Sequence, residues 1–227
     1  MKTVAVIVAA GKGERFGSDV PKQFRKIIGR PLLAWTLTRF EKAASIDEIA
    51  LVVAEEYMLY VNEKIANEYR FSKLTRIIKG GTTRRESVYN GLKSLPISTG
   101  CVAIHDGARP LVGGDDIDRV VETAHKDRAA ILARPISETV KRVESDFIIS
   151  TLDRTKLYLA ETPQVFQYDL ILSAHEKTAL SVNATDDAYL VESLGFKVKT
   201  VIPRRSNVKV TTEEDLKVAE TLLEEIG

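Results

Sequence analysis

The chain has 227 residues, 44% hydrophobic and 29% charged, which suffices for one globular domain with a substantial core. Lys and Arg total 33 against 32 Asp and Glu, a formal net charge of +1, so neither a basic nucleic-acid binder nor an acidic tail is indicated. A single cysteine, Cys101, excludes a disulfide scaffold, and three scattered histidines, His105, His125 and His175, argue against a zinc enzyme.

Met1-Lys2-Thr3 leads straight into the first apolar run, without the character of a signal or transit peptide. No run is long enough for a membrane span, so a cytoplasmic protein is expected. Short β-branched runs at Val4 to Val8, Ile49 to Val53, Leu74 to Ile78, Val102 to Ile104 and Ala129 to Leu132 predict buried strands. Between them, helical periodicity marks Leu32 to Phe40, Tyr57 to Tyr69, Arg85 to Leu95 and Ile117 to Ala124. Strand and helix alternate, which predicts an α/β fold with a mostly parallel sheet covered on both faces.

From Thr139 the pattern changes to alternation, in Thr139 to Val143 and again in Phe147 to Leu152, separated by Glu144-Ser145-Asp146. This predicts a hairpin excursion, an arm over residues 137–160 of an otherwise single domain 1–227. Its hydrophobic residues would be poorly covered in water, so they bury either against a second subunit or by folding back on their own domain. The α/β pattern then resumes, with helices near Tyr168 to Ala179 and Asp186 to Leu194 and strands at Lys197 to Ile202 and Val208 to Val210. A last helix is expected over Glu213 to Glu225, started by a capping box of Thr211 and Glu214.

Directly after the first strand comes Ala9-Ala10-Gly11-Lys12-Gly13-Glu14-Arg15-Phe16-Gly17, continuing to Pro21-Lys22-Gln23. Its glycines let backbone N–H groups approach an anion while Lys12, Arg15 and Lys22 supply positive charge; on spacing alone they also read as solvated charges of a surface turn. A Walker loop fails because Gly17 is followed by Ser18 and Asp19, and a dinucleotide fingerprint fails at Phe16, where its third glycine belongs.

Ala9-Ala10-Gly11-x-Gly13-x-Arg15 with Pro21-Lys22-Gln23 resembles the signature of the nucleotidyltransferases that activate sugar phosphates. With His105-Asp106-Gly107-Ala108-Arg109-Pro110 and Thr162-Pro163-Gln164 in order, the chain resembles the 2-C-methyl-D-erythritol 4-phosphate cytidylyltransferase family from the first strand to the last helix. The resemblance implies a Rossmann-like nucleotidyltransferase fold with a protruding β-arm for dimerisation. It also implies transfer of CMP from CTP to methylerythritol phosphate with release of pyrophosphate, and a divalent cation, Mg²⁺. The attacking phosphate oxygen is ionised at neutral pH, so alignment and charge neutralisation replace a general base.

The resemblance assigns Arg15 and Lys22 to the triphosphate and, with Lys209 and Arg154, to catalysis. It lines the CTP site with Ala9, Ala10, Gly11, Gly13, Gly80, Gly81, Thr82, Arg84, Ser87, Asp106 and Gly107, with Ser87 and the glycine backbone reading cytosine. Thr82 stands where other members carry an acidic ribose contact, and Gly107 where some carry alanine, a change expected to loosen the loop with little functional effect. Arg109, Thr139, Arg154, Thr162 and Lys209 would surround the methylerythritol phosphate, Arg154 serving the neighbouring subunit of a C2 homodimer. Asp106, at the carboxyl end of a strand, is the candidate metal ligand; on local grounds it reads equally as a helix cap or a partner of Arg109. Strand alternation turns His105 to the opposite face, as a packed structural residue. Thr185-Asp186-Asp187 reads as dipole compensation at a helix start. Ribitol 5-phosphate cytidylyltransferase and a non-catalytic nucleotide-binding module are the rival readings, and the end at Gly227 suggests a form without a fused cyclase domain.

Overall fold

The computed structural model describes residues 1–11, 21–179 and 184–226; Gly13 and Arg15 therefore lie outside the described residues. In chain order the strands and α-helices are β1 (Thr3–Ala9), β2 (Lys26–Ile27), β3 (Arg30–Pro31), α1 (Leu32–Lys42), β4 (Glu48–Val53), α2 (Met58–Val61), β5 (Leu74–Lys79), α3 (Arg84–Lys93), β6 (Cys101–Asp106) and α4 (Gly114–Asp127). They continue with β7 (Ala129–Pro135), β8 (Lys141–Glu144), β9 (Phe147–Thr151), β10 (Tyr158–Gln167), α5 (Tyr168–Lys177), α6 (Asp187–Ser193), β11 (Lys199–Val201) and α7 (Glu213–Ile226).

Seven strands form one sheet in the order β11-β7-β10-β6-β1-β4-β5. All neighbours run parallel except β10, which is antiparallel to both β6 and β7. Burial on both faces explains why β1 is apolar from Val4 to Ala9. Ala5, Ile7 and Ala9 face a core shared with Leu37 and Phe40 of α1 and Val120 of α4, while Val4 and Val6 face Val88 of α3 and Ile171 of α5. A third cluster seats Ala219 and Leu223 of α7 on Ala108, Leu111 and Val210.

Several elements differ from the sequence reading. Tyr57 to Tyr69 is not one α-helix: a 3₁₀ turn at Glu55–Tyr57 leads into α2 and then a π-helix at Asn62–Asn67. Only Val61 and Ile65 of α2 and the π-helix are buried, so packing of a narrow stripe, rather than helix propensity, sets the winding. Val208 to Val210 joins no sheet; the Val210 N–H donates instead to the Ala108 carbonyl at 2.8 Å. The start of α7 is held by Thr212 and Asp215 rather than Thr211 and Glu214. The Asp215 N–H donates to Thr212 Oγ1 at 3.2 Å, and its carboxylate accepts from the Thr211 and Thr212 N–H groups at 2.8 and 2.9 Å.

The arm is a β8–β9 hairpin turned by Ser145 and Asp146, both with positive φ (47° and 69°), the backbone of a tight two-residue turn. Every residue of both strands is exposed, so the hairpin does not fold back onto its own domain. Thr139 lies in the irregular lead-in from β7, not in a strand. Among the described residues, no helix is long and apolar enough to cross a membrane.

Candidate active site

At the carboxyl edge of the sheet, where open α/β folds gather ligands, the described residues bound a cleft of about 910 Å³. Ala9, Ala10 and Gly11 leave β1 on one side, the start of α3 faces them, and Asp106, Lys22 and Lys209 line the cleft as well.

Buried Gln23 pins the described base of the glycine loop, its amide donating to the Ala9 carbonyl at 3.0 Å and the Gly11 carbonyl at 3.2 Å. Gly80 has to be glycine here: a Cβ would fall 2.3 Å from the Ala10 methyl and 3.3 Å from the Val53 carbonyl. At the start of α3, Thr83 Oγ1 accepts from the Glu86 N–H, while the Glu86 carboxylate reaches back to the N–H and hydroxyl of Thr82, both at 2.7 Å. Ser87 donates to the Thr83 carbonyl at 2.9 Å and accepts the Gly81 N–H at 3.0 Å. The Gly80 N–H is bonded to the Val53 carbonyl at 2.7 Å.

Asp106 ends β6 surrounded by cations. Arg84 Nε lies 3.0 Å from Oδ1, Lys209 Nζ 2.8 Å from Oδ2, and Arg109 Nε 3.7 Å from Oδ2. Burial pushes the Asp106 carboxyl up, but Arg84, Lys209 and Arg109 outweigh it and hold the group well below the usual carboxylate range. Lys22 reaches the same wall, donating to the Val210 carbonyl at 2.9 Å. Arg109 is also fixed by the Asn207 carbonyl at 2.6 Å, and Asn207 donates to the Thr162 carbonyl at 2.7 Å.

Thr162 is buried behind Asp106. Its hydroxyl accepts the Asp106 N–H at 3.2 Å and lies 3.0 Å from His105 Nδ1. If that hydroxyl donates to Nδ1, the other ring nitrogen carries the proton and donates to the Arg109 carbonyl at 3.1 Å, so one neutral tautomer satisfies every partner. Burial pushes the His105 pKa down to about 3, in keeping with that neutral ring, and the Phe40 ring packs 4.7 Å away.

Gly107, expected to loosen its loop, is tightly held: its N–H donates to Val8, its carbonyl accepts from Thr36, and an added Cβ would fall 2.9 Å from that of Ala9. The cleft thus brings together Ala9, Ala10, Gly11, Lys22, Gly80, Gly81, Thr82, Arg84, Ser87, Asp106 and Lys209. Thr139 and Arg154 stay exposed on the arm, where the Arg154 guanidinium donates to the Ser137 carbonyl.

The sequence reading gave Asp187 only a helix-start role and Gln164 none. Asp187 does more than compensate a helix dipole, because its buried carboxylate bonds Arg84 Nη1 at 2.8 Å. Gln23 and Gln164 were visible only as the last letters of Pro21-Lys22-Gln23 and Thr162-Pro163-Gln164; nothing local marked Asn207. Among the described residues no group of three or more His, Cys, Asp or Glu could hold a metal. Asp106, with its two oxygens on Arg84 and Lys209, supplies one carboxylate at this wall, which fits a hard cation only when phosphate oxygens and water complete the donor set.

A family model for 2-C-methyl-D-erythritol 4-phosphate cytidylyltransferase matches residues 3–225. The enzyme of that name from Desulforamulus reducens is 45% identical over 222 residues, covering 97% of this chain and 95% of its own length. Its counterpart from Alkaliphilus oremlandii is 42% identical over 224 residues, covering 98% and 95%. The crystal structure of 4-diphosphocytidyl-2C-methyl-D-erythritol synthase from Anaerococcus prevotii superposes with a TM-score of 0.86 at 32% identity, covering 98% of each chain.

Proposed function

The chain belongs to the 2-C-methyl-D-erythritol 4-phosphate cytidylyltransferase family, and from that premise we propose how its residues carry the reaction. The enzyme transfers CMP from CTP to 2-C-methyl-D-erythritol 4-phosphate. A phosphate oxygen of the acceptor bonds to the α-phosphorus, the bond from that phosphorus to the bridging oxygen breaks, and pyrophosphate leaves with the electron pair. No proton needs to be removed from the nucleophile, so the residues act by holding and neutralising.

The observation that carries this reading is the cation cluster of Arg84, Arg109 and Lys209 about the Asp106 carboxylate, with Lys22 beside it. Fixed cations gathered on this wall suit two polyanions brought into contact. Lys22, with Arg15, is assigned to the α-phosphate and the departing oxygens. Lys209 and Arg109 take the acceptor phosphate, and buried Thr162 orients Asp106 between them.

The N–H groups of Gly80 and Gly81 are already bonded within the protein, so this turn offers the base carbonyl oxygens. Acceptors there match the 4-amino group of cytosine and oppose the 4-oxo group of uracil. Mg²⁺ would be held by Asp106 and the triphosphate, and would supply further charge neutralisation at the phosphates.

The arm is assigned to a C2 homodimer in which Thr139 and Arg154 reach the active site of the other subunit. The apolar exposure of its strands supports this, with Phe147 at 75% and Ile148 at 64%. A cytoplasmic enzyme is the setting that fits these substrates.

The test is pyrophosphate release from CTP and Mg²⁺ with methylerythritol phosphate or ribitol 5-phosphate in parallel, and UTP as a control. Release with methylerythritol phosphate and CTP is expected. Release with ribitol phosphate alone would move the enzyme to another acceptor, and silence with both would make the cleft a binding module.

A further inference from the structure

We propose that Asp187 is a positioning residue for the transfer reaction, one that fixes Arg84 in the wall of the cleft through a buried ion pair. Two consecutive acids at a helix start usually face solvent, but α6 divides its pair. Asp186 caps the helix, accepting the Tyr189 N–H at 3.0 Å. The side chain of Asp187 turns inward and is 2% exposed.

A carboxylate so buried is costly unless charged partners and hydrogen bonds replace its water. Asp187 has both: Arg84 Nη1 lies 2.8 Å from Oδ2, and His175 Nε2 3.2 Å from Oδ1. Gln164 completes the setting, its carbonyl oxygen accepting the N–H groups of Asp187 at 3.1 Å and Ala188 at 3.0 Å, while its amide donates to Asp186. His175 is itself held against the Tyr89 ring of α3, centroids 6.0 Å apart and ring planes nearly parallel at 6°.

The consequence falls on Arg84. Its guanidinium is strung between two carboxylates, Nε on Asp106 at 3.0 Å in the cleft and Nη1 on Asp187 behind it. Two directional bonds from one planar group set its rotation as well as its position. Held by Asp106 alone, the guanidinium could pivot about that carboxylate or follow an incoming phosphate. Asp187 prevents both, so Asp106 and the start of α3 meet the nucleotide in a fixed arrangement. The strand carrying Thr162 and Gln164 holds the backbone N–H groups of Asp106 and Asp187 from behind.

This inference rests on the reading of the cleft as the CTP site, and the experiment separates the two. Steady-state rates and melting temperatures are compared for wild type, Asp187→Asn, Arg84→Gln and the double variant. Loss of one charged hydrogen bond predicts that Asp187→Asn raises KM for CTP about tenfold, with kcat at saturating CTP changed less than about threefold. In the Arg84→Gln background the same substitution is expected to leave KM unchanged, because the residue acts through Arg84. A lowered melting temperature with KM for CTP unchanged, or an effect that adds in full in the double variant, would overturn the proposal.

Should Asp187→Asn not fold, the comparison of Arg84→Gln with the double variant still decides. The double variant should melt higher, since it removes a buried carboxylate that has lost its guanidinium, and an equal or lower melting temperature would refute the pairing. A wild type silent with CTP and methylerythritol phosphate would remove the functional reading, while the melting comparison would still test the pair.

Discussion

At the cleft, Asp106 is closed in by Arg84 and Lys209 at 3.0 and 2.8 Å, whereas on the arm Phe147 is 75% and Ile149 54% exposed. The two regions resolve opposite physical problems. Desolvated charge has to be paired where it lies, and the cleft does so with residues of its own chain, Arg84 between Asp106 and Asp187 included. Exposed apolar surface has no such local remedy and is relieved only by another surface. The charged wall of the site is therefore prearranged within one chain, while the part proposed for Thr139 and Arg154 would wait on assembly.

The strongest way to break this comparison is Lys22→Ala. Removing a cation from the developing charge should lower turnover about 10²- to 10³-fold, while circular dichroism and the melting temperature stay close to wild type. Near-normal turnover would mean the cleft does not work by fixed charge.

Next in size is the arm. Phe147→Asp with Ile149→Asp should convert the proposed dimer to monomer in sedimentation and cut turnover by more than about tenfold, because each site would then lose the arm assigned to it from the partner. Arg154→Ala mixed in equal amounts with Lys22→Ala should recover about one quarter of wild-type activity. Half of the dimers are then mixed, and each mixed dimer holds one intact site of two. Activity that never rises above the sum of the separate variants would put Arg154 to work in its own chain.

A smaller effect is expected at Gly80→Ala, whose Cβ would fall 2.3 Å from that of Ala10. The β1 loop has to yield, and overpacking of about 1–3 kcal/mol should appear as a several-fold rise in KM for CTP more than as lost stability. An unchanged KM would show that the loop gives way without cost to the nucleotide site.

Legibility in the sequence followed the same division. β1 and β6 were readable because burial on both faces leaves an unbroken apolar run, whereas the glycine loop was readable from its residue types alone, since a Cβ on Gly11 would meet nothing within 4 Å. The hairpin was readable from alternation, and its exposure decided that it projects. Val208 to Val210 misled because β-branched residues mark extended backbone, not the neighbour that makes a strand. The roles of Gln23, Gln164, Asn207 and Asp187 were hidden for another reason: each bonds groups between 12 and 103 positions away, and a polar residue carries no periodic signal of its tertiary partner. Asp187 looked like half of a helix start until the side chain was seen to turn inward.

The smallest predicted effect bears on the hinge between buried charge and neutral core. His105 stands beside Asp106, yet it is held neutral, with its pKa pushed by burial down to about 3 from an ordinary value of 6.5. Between those two values the unfolded chain binds a proton that the folded chain refuses, so stability rises with pH there and is lost as the solution is acidified. Asp106, also held low, adds a loss of the same sign once the pH falls below the ordinary carboxylate range, because the unfolded carboxyl then takes up a proton first. Wild type should therefore lose several degrees of melting temperature between pH 7 and about pH 5, where His105 acts and Asp106 does not. His105→Gln keeps a donor for the Arg109 carbonyl but has no proton to bind, so it should melt lower at pH 7 and show a flatter slope on acidification. Parallel slopes for the two proteins would mean that acid lability resides elsewhere, and that a buried ring next to a charged cleft is tolerated without a measurable linkage to pH.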